Sequence, residues 1–248
     1  MSPEKRNTII EKLRSDENYY GDFGRQFLSN SNISTLLEDP KSFGESTPNN
    51  PNFVVGGYFH TKVLEPEKLE KFKVIDASTR NTNKYKEEAN GEVCILKKEV
   101  ENVDLMVDAL MSNERCKDLV APLLGGFEYE LPGIVELYGN LWKGKADIIN
   151  HDEGLVIDLK TTSSLDTFDR SASKYNYDSQ AFIYKAIFGY DLMFIAIDKK
   201  SHRIGIFDCS ETFYGNGEEK VKRATAVYNQ FFKEKTVDIS QHIITQTL

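Results

Sequence analysis

Asp158 and Lys160 stand two residues apart in the run Leu155-Val-Ile-Asp-Leu-Lys160. On a strand, residues i and i+2 share a face, so a carboxylate and an ammonium emerge together. Leu155, Ile157 and Leu159 take the opposite face and read as core, and Val156 is the apolar residue sharing the charged face. Upstream, Asp147 ends Gly144-Lys-Ala-Asp and sits among Ala146, Ile148 and Ile149. The two runs are joined by His151-Asp-Glu-Gly154, a β-hairpin pattern with glycine at the turn. Such pairing brings Asp147 near Asp158, in a register that the sequence leaves open. Two neighbouring carboxylates repel each other, and a divalent cation removes the penalty. Hard oxygen ligands suit Mg²⁺, with Mn²⁺ as a substitute. A cation held there polarises a phosphoryl oxygen and acidifies its bound water. A nearby lysine orients or deprotonates that water, or stabilises charge on the phosphorane.

Alone, the Asp-Leu-Lys tripeptide reads more simply as a same-face ion pair on a half-exposed strand. Its company changes that reading. Gln180 and Tyr184 are four apart, on one face of a helix. His60 follows Gly56-Gly57, although a lone histidine is more often a satisfied surface or core residue.

The elements that must position these residues follow from periodicity. Residues 1–26 read as a polar, partly helical extension with one stripe, Ile9, Ile10 and Leu13. Residues 27–40 read as a helix capped by Ser31 or Asn32 and ended by Pro40. Residues 41–52 have loop composition, and a helix is expected to start near Gly57. Residues 99–110 carry Val103, Met106, Val107 and Leu110 at helical spacing. Gly125-Gly126 breaks the chain. Residues 127–131 and 134–138 read as two strands turning at Pro132-Gly133. Helices are expected over 166–174 and 177–188, a second hairpin over 192–197 and 203–207, and an amphipathic helix over 218–235. The class is α/β, a central mixed sheet flanked by helices. The expected organisation is an extension (1–26), one domain (27–235) and a polar tail (236–248).

The 248 residues carry a net charge of −8, which argues against a passive nucleic-acid binder but not against an enzyme with acidic metal ligands. No apolar run approaches the ~18 residues that span a bilayer, and the N-terminal charges lead into no apolar run. The expectation is a cytoplasmic protein without membrane partners. Cys94, Cys116 and Cys209 lack the spacing of a zinc site or a disulfide framework.

Four motifs in order now carry a resemblance: Gly56 to His60, Gly144-Lys-Ala-Asp147, Asp158-Leu-Lys-Thr-Thr162 and Gln180 to Tyr184. Together they resemble the PD-(D/E)XK nuclease superfamily, its RecB-like branch, and within that the RecE-type (exonuclease VIII) phage exonuclease catalytic domain. The segments 28–43, 57–66 and 168–184 are similar to that family as well, so the likeness spans about residues 27–210. Asp158 replaces the commoner glutamate, an exchange frequent in this branch.

The resemblance implies a PD-(D/E)XK core and an Mg²⁺-dependent exonuclease. It would degrade one strand of linear duplex DNA 5′→3′ and leave 3′ overhangs for a single-strand annealing recombinase. Asp147, Asp158 and the Leu159 carbonyl would be metal ligands, His60 a ligand to a second metal, and Lys160 the catalytic lysine. Gln180 and Tyr184 would position the lysine, the water or the DNA backbone. Glu128 falls where the branch often carries a further acidic ligand, with Glu130 as the alternative. Lys145, Thr161, Thr162, Arg170, Lys174 and Tyr177 are the candidate DNA contacts. The basic residues near the motifs, Lys62, Lys143 and Lys185 among them, read equally well as phosphate contacts or as solvated surface. A homo-oligomeric ring and, for a phage-encoded chain, a bacterial host cytoplasm are further implications. No iron–sulfur cluster is expected from three scattered cysteines, and without a P-loop any helicase is a separate chain. Other readings are a single-strand exonuclease or structure-specific endonuclease on the same site, and a catalytically silent DNA-binding module.

Overall fold

The computed structural model describes residues 1–45, 50–121 and 126–243. The helices are α1 (Pro3–Leu13), α2 (Asp16–Tyr20), α3 (Ser31–Glu38), α4 (Pro51–Leu64), α5 (Asn83–Ala89), α6 (Lys97–Ser112), α7 (Glu114–Val120), α8 (Phe168–Lys174), α9 (Tyr177–Phe188) and α10 (Glu211–Tyr228). The strands are β1 (Val74–Ile75), β2 (Ile95–Leu96), β3 (Phe127–Leu137), β4 (Asn140–Asn150), β5 (Leu155–Thr162), β6 (Asp191–Asp198) and β7 (Ile204–Asp208). β3 to β7 form one sheet in sequential order, and β1 pairs with β2 separately. Among the described residues, only the β5–β6 pair in the large sheet is parallel, and α8 and α9 make the crossover. The sheet is therefore mixed and flanked by helices, as its pattern of elements predicts. Among the described residues no helix is long and apolar enough to cross a membrane.

Both faces of the sheet are buried. On one, Trp142, Ala146, Val156, Phe194 and Ala196 pack beneath α3, α8, α9 and α10. On the other, Ile148, Ile157, Leu159, Ile195 and Ile197 meet Phe59 of α4 and Val103, Met106 and Leu110 of α6. Fully burying one such side chain contributes about 1.5–3 kcal/mol. The division along β5 is the expected one: Ile157 and Leu159 to one side, Val156 to the other. In the N-terminal segment, Ile9 and Leu13 pack with Tyr19, Phe27 and Ile134.

Several boundaries differ from the sequence reading, each for a physical reason. α4 begins at Pro51, not near Gly57: proline supplies the first helical turn and the Asn50 side chain accepts from the Asn52 N–H. α3 is capped by neither Ser31 nor Asn32. Its preceding residue, Asn30, turns its side chain to Asn176 and Ser179 instead, and Asn32 bonds back to Ser29. α10 begins at Glu211, capped by Ser210. Its Gly217 admits a close crossing, since a Cβ there would lie 2.0 Å from the Asp178 carbonyl oxygen. The break expected at Gly125-Gly126 and the loop around Pro48 fall partly outside the described residues, as does the end of the tail.

The expected turn at Pro132-Gly133 is absent, and β3 runs through it as one strand paired to β4. β3 is an edge strand, where the missing proline N–H breaks no ladder. The turn lies further on, at Tyr138-Gly139, both residues having positive φ as a two-residue hairpin loop requires. Gly133 is opposite Gly144 in the register. A Cβ on Gly133 would lie 2.1 Å from Ile187, and one on Gly144 2.7 Å from the Tyr184 ring. The paired glycines make a flat place on the sheet that seats α9.

Candidate active site

Asp147 gains its position from a fault in the pleat. In β4, Trp142 and Ala146 face the α9 side, yet so does Ile149, while Ile148 faces α4 and α6. In β3, Leu131 and Val135 belong to the α9 side and Phe127 to the other. Both strands thus change face between these residues without a slip in register, since Tyr129 pairs with Ile148 and Leu131 with Ala146. The residues at the fault are Glu130, with φ +49°, and Asp147. A local distortion of this kind re-aims a side chain.

Asp147 is also where β4 leaves β5. The paired residues are Ile148 with Ile157, Ile149 with Val156 and Asn150 with Leu155. The next pair in that register would be Asp147 with Asp158. Instead the Asp147 carboxylate accepts the Leu159 N–H at 2.8 Å, taking the place of a β4 carbonyl. The same oxygen lies 3.2 Å from Nδ1 of His60, which α4 brings in from the opposite face.

Asp158 points to the α9 side and is buried. Gln180 donates Nε2 to its Oδ2 at 2.6 Å. The Lys160 ammonium pairs with the buried Oδ1. Lys160 in turn lies 4.8 Å from the centroid of the Tyr177 ring. Tyr184 donates to the Lys145 carbonyl at 2.7 Å, one turn of α9 beyond Gln180. It therefore ties α9 to β4, while Gln180 ties α9 to β5.

The electrostatics separate the two carboxylates. Burial raises the pKa of Asp158, and the Asp147 charge raises it further, against Lys160. Burial also works against an Asp147 anion, but His60 and Lys160 outweigh it and the pKa is lowered. Burial disfavours the His60 and Lys160 cations, yet the Asp147 and Asp158 anions outweigh it and both pKa values are raised. The carboxylates, an imidazole and an ammonium form one compensated set.

Other candidates fall elsewhere. Glu128 reaches His151 at 2.8 Å and lies on the half-exposed rim. Glu130 is the acidic residue beside Asp147: burial and then the Asp147 charge raise its pKa. Lys145 is held by Asp16 at 2.6 Å and Glu130 at 3.0 Å, so its charge is already answered. The Thr162 hydroxyl closes a local turn with Ser164, and Thr161 is half-buried near Gly56. Arg170 and Lys174 lie exposed on α8. Lys62 pairs with Asp104, Lys185 with Asp191, and Lys143 is buried against Tyr19. The sequence reading missed Asp16 as the partner of Lys145. It also passed over the non-alternating Ala146-Asp-Ile-Ile149, the signal that marks the pleat fault.

Among the described residues, no group of three or more His, Cys, Asp or Glu side chains is arranged to hold a metal ion. The donors present still suit a hard divalent cation: two buried carboxylates, the charge of Asp147 adding to the cost of ionising Asp158. Asp147 and Asp158 would hold it.

The model of a family described as a PDDEXK-like domain of unknown function (DUF3799) matches residues 34–240. No curated protein matches the chain. Among solved structures, the chain is similar to a provisionally named exonuclease from Eubacterium rectale. The two are 16% identical, with 94% of this chain and 95% of that one covered and a TM-score of 0.59. A phage related exonuclease from Haemophilus somnus 129PT is also 16% identical, over 84% of this chain and 96% of that chain, with a TM-score of 0.39. At such identity the first likeness speaks for the fold.

Proposed function

The chain belongs to the family of PDDEXK-like domains of unknown function, and from that membership we propose that it is a divalent-metal-dependent DNA exonuclease. What supports this reading is one observation: Asp147, Asp158, Lys160 and Gln180, drawn from β4, β5 and α9, converge in a single network with His60. A structural ion pair has no need of five such residues from four elements.

In this proposal Asp147 and Asp158 would hold Mg²⁺, for which Mn²⁺ would substitute, with the Leu159 carbonyl as a further donor. The cation would supply Lewis acidity toward a phosphate oxygen and toward water. Lys160, held as a cation by Asp158, would answer the negative charge carried by the phosphoryl oxygens as water displaces the ester oxygen. Gln180 fixes the Asp158 carboxylate and His60 fixes that of Asp147, so neither has to reorganise when substrate arrives. Tyr184 sets the spacing between α9 and β4.

The finer reading is a RecE-type enzyme of the RecB-like branch. It resects linear duplex 5′→3′, hands 3′ overhangs to an annealing recombinase and acts in a bacterial host cytoplasm, in a homo-oligomeric ring. The test is a substrate panel with Mg²⁺: linear duplex labelled at 5′ or 3′ ends, single strands, and closed circles. Early loss of the 5′ label from linear duplex, with circles intact, is the expected result. Cutting of circles would replace the reading with an endonuclease, and loss of single strands alone with a single-strand exonuclease. No cleavage of any substrate would leave the silent binding module.

A further inference from the structure

Lys160 lies beside an aromatic series that runs from the core to the surface. Phe194 is buried beneath it. Tyr177 stacks on Phe194 with centroids 5.4 Å apart and planes 29° apart. Tyr175 continues the series, its ring 6.2 Å from Tyr177 and tilted by 37°. Unlike the others, Tyr175 is 58% exposed. Single exposed aromatics are ordinary; position and company set this one apart.

The company is cationic. Nζ of Lys174 lies 5.6 Å from the Tyr175 ring. Arg170 is four residues earlier on the exposed side of α8, hence on the same helix face. Among the described residues no carboxylate pairs with either cation. Tyr20 provides the contrast. It is 64% exposed and 5.3 Å from Nζ of Lys145, but that ammonium is shared by Asp16 and Glu130. The cation beside Tyr20 is thus neutralised by carboxylates, whereas those beside Tyr175 are not.

The corner that carries Tyr175 is braced by hydrogen bonds. Asn176 adopts the left-handed conformation at φ +58°. Its carbonyl accepts from Asn30 at 3.1 Å and from Ser179 at 2.9 Å. Lys220 of α10 donates to the Ser173 carbonyl, the Asn176 side chain and Asp178, each at 2.9 Å. An exposed ring on a clamped backbone loses little freedom when it binds.

We propose that Tyr175 is a stacking platform for an unpaired base of a nucleic-acid strand. The neighbouring phosphate is then directed toward the Asp147–Asp158 site, and Arg170 and Lys174 take flanking phosphates. This rests on the nuclease reading and deepens it: the strand is unpaired where it meets the site. Aromatic stacking accepts any base, so the platform carries no sequence preference.

The test separates the two claims. Binding of a fluorescein-labelled oligo-dT strand and of a blunt hairpin duplex is followed by anisotropy in EDTA, which prevents turnover. Tyr175→Ala is expected to weaken single-strand binding by about 5- to 150-fold and blunt-duplex binding by less. Tyr175→Phe and Tyr175→Trp, which keep a ring, are expected to bind like the wild type, and all three to melt like it. If Tyr175→Ala binds the strand as the wild type does, or Tyr175→Phe loses as much as Tyr175→Ala, the platform is refuted. The nuclease reading then stands if the wild type still binds and, with Mg²⁺, cleaves. A wild type that binds neither probe in EDTA also refutes the platform, and the nuclease reading is then decided by cleavage with Mg²⁺ alone.

Discussion

The Gln180 amide reaches 2.6 Å from Oδ2 of Asp158, inside the protein, across the seam between α9 and β5. That bond fixes the carboxylate at one oxygen and leaves the other toward Lys160. Groups that orient a metal-binding carboxylate typically matter about 10- to 100-fold for metal affinity or activity. Gln180→Ala should therefore lower the cleavage rate by about that factor and raise the Mg²⁺ concentration for half-activity. A Mg²⁺ titration of Gln180→Ala that overlays the wild type would contradict the positioning role.

Glu130, not Glu128, shares the electrostatic neighbourhood of Asp147. Glu130→Gln should lower activity about tenfold or more, on the scale of other groups that support a metal ligand. Glu128→Gln, a change on the rim, should alter stability by no more than about 0.5 kcal/mol and leave activity near wild type. Paired rate measurements decide it, and the reverse order would restore Glu128 as the functional acid.

Gly144 supports Tyr184 by lacking a side chain. A Cβ there would sit 2.7 Å from the Tyr184 ring and 2.9 Å from Cδ1 of Ile187. Overpacking of this kind costs about 1–3 kcal/mol, so Gly144→Ala should melt about 2–12 °C lower in a chain of this size. The same displacement moves Tyr184 from the Lys145 carbonyl. Activity should fall even at temperatures where the variant is folded, and a variant with normal melting and activity would show that the seat is not needed.

Lys143 gives a pH prediction away from the two carboxylates. It lies buried against Tyr19, its ammonium 4.2 Å from the ring centroid. Burial, then the charges of Lys145 and Arg25, lowers its pKa to about 8. In the unfolded chain lysine titrates near about 10.4. Between these values the unfolded state binds more protons, so stability rises with pH there. Below about 8 the burial cost is present in full. From pH 7 to pH 9.5 the wild type should gain roughly 1–2 kcal/mol relative to Lys143→Met, as read from denaturant unfolding. A difference that does not change with pH would remove Lys143 from the account.

The sheet and its charged face were legible because strand period and helix period are local. Asp158 and Lys160 share a face, Ile157 and Leu159 the other, and Tyr177–Phe188 is helical as the spacing predicts. Gly154 sits at the turn with positive φ. Illegible were features set by packing between distant segments. Pro132-Gly133 looks like a turn, yet Gly133 serves as a seat for Ile187. Gly215 and Gly217 look like the end of a loop, yet they lie inside α10, where Gly217 meets Asp178. Asp147 was found by motif, but its bond to Leu159 depends on where β4 parts from β5, and no residue spacing announces that point. Lys145 looked free for a phosphate because its partner Asp16 lies far off in the chain.

If Asp158 and Lys160 act on a phosphodiester and are not merely a buried ion pair, both side chains must be needed for cleavage. The direct measurement is release of label from 5′-labelled linear duplex by the wild type, Asp158→Asn and Lys160→Ala, with Mg²⁺ varied from none to excess. The account predicts release by the wild type that requires Mg²⁺, and a loss of at least about 100-fold in each variant, as removal of a charge-stabilising group typically gives. Release that ignores Mg²⁺, or variants that fold and cleave like the wild type, would contradict it.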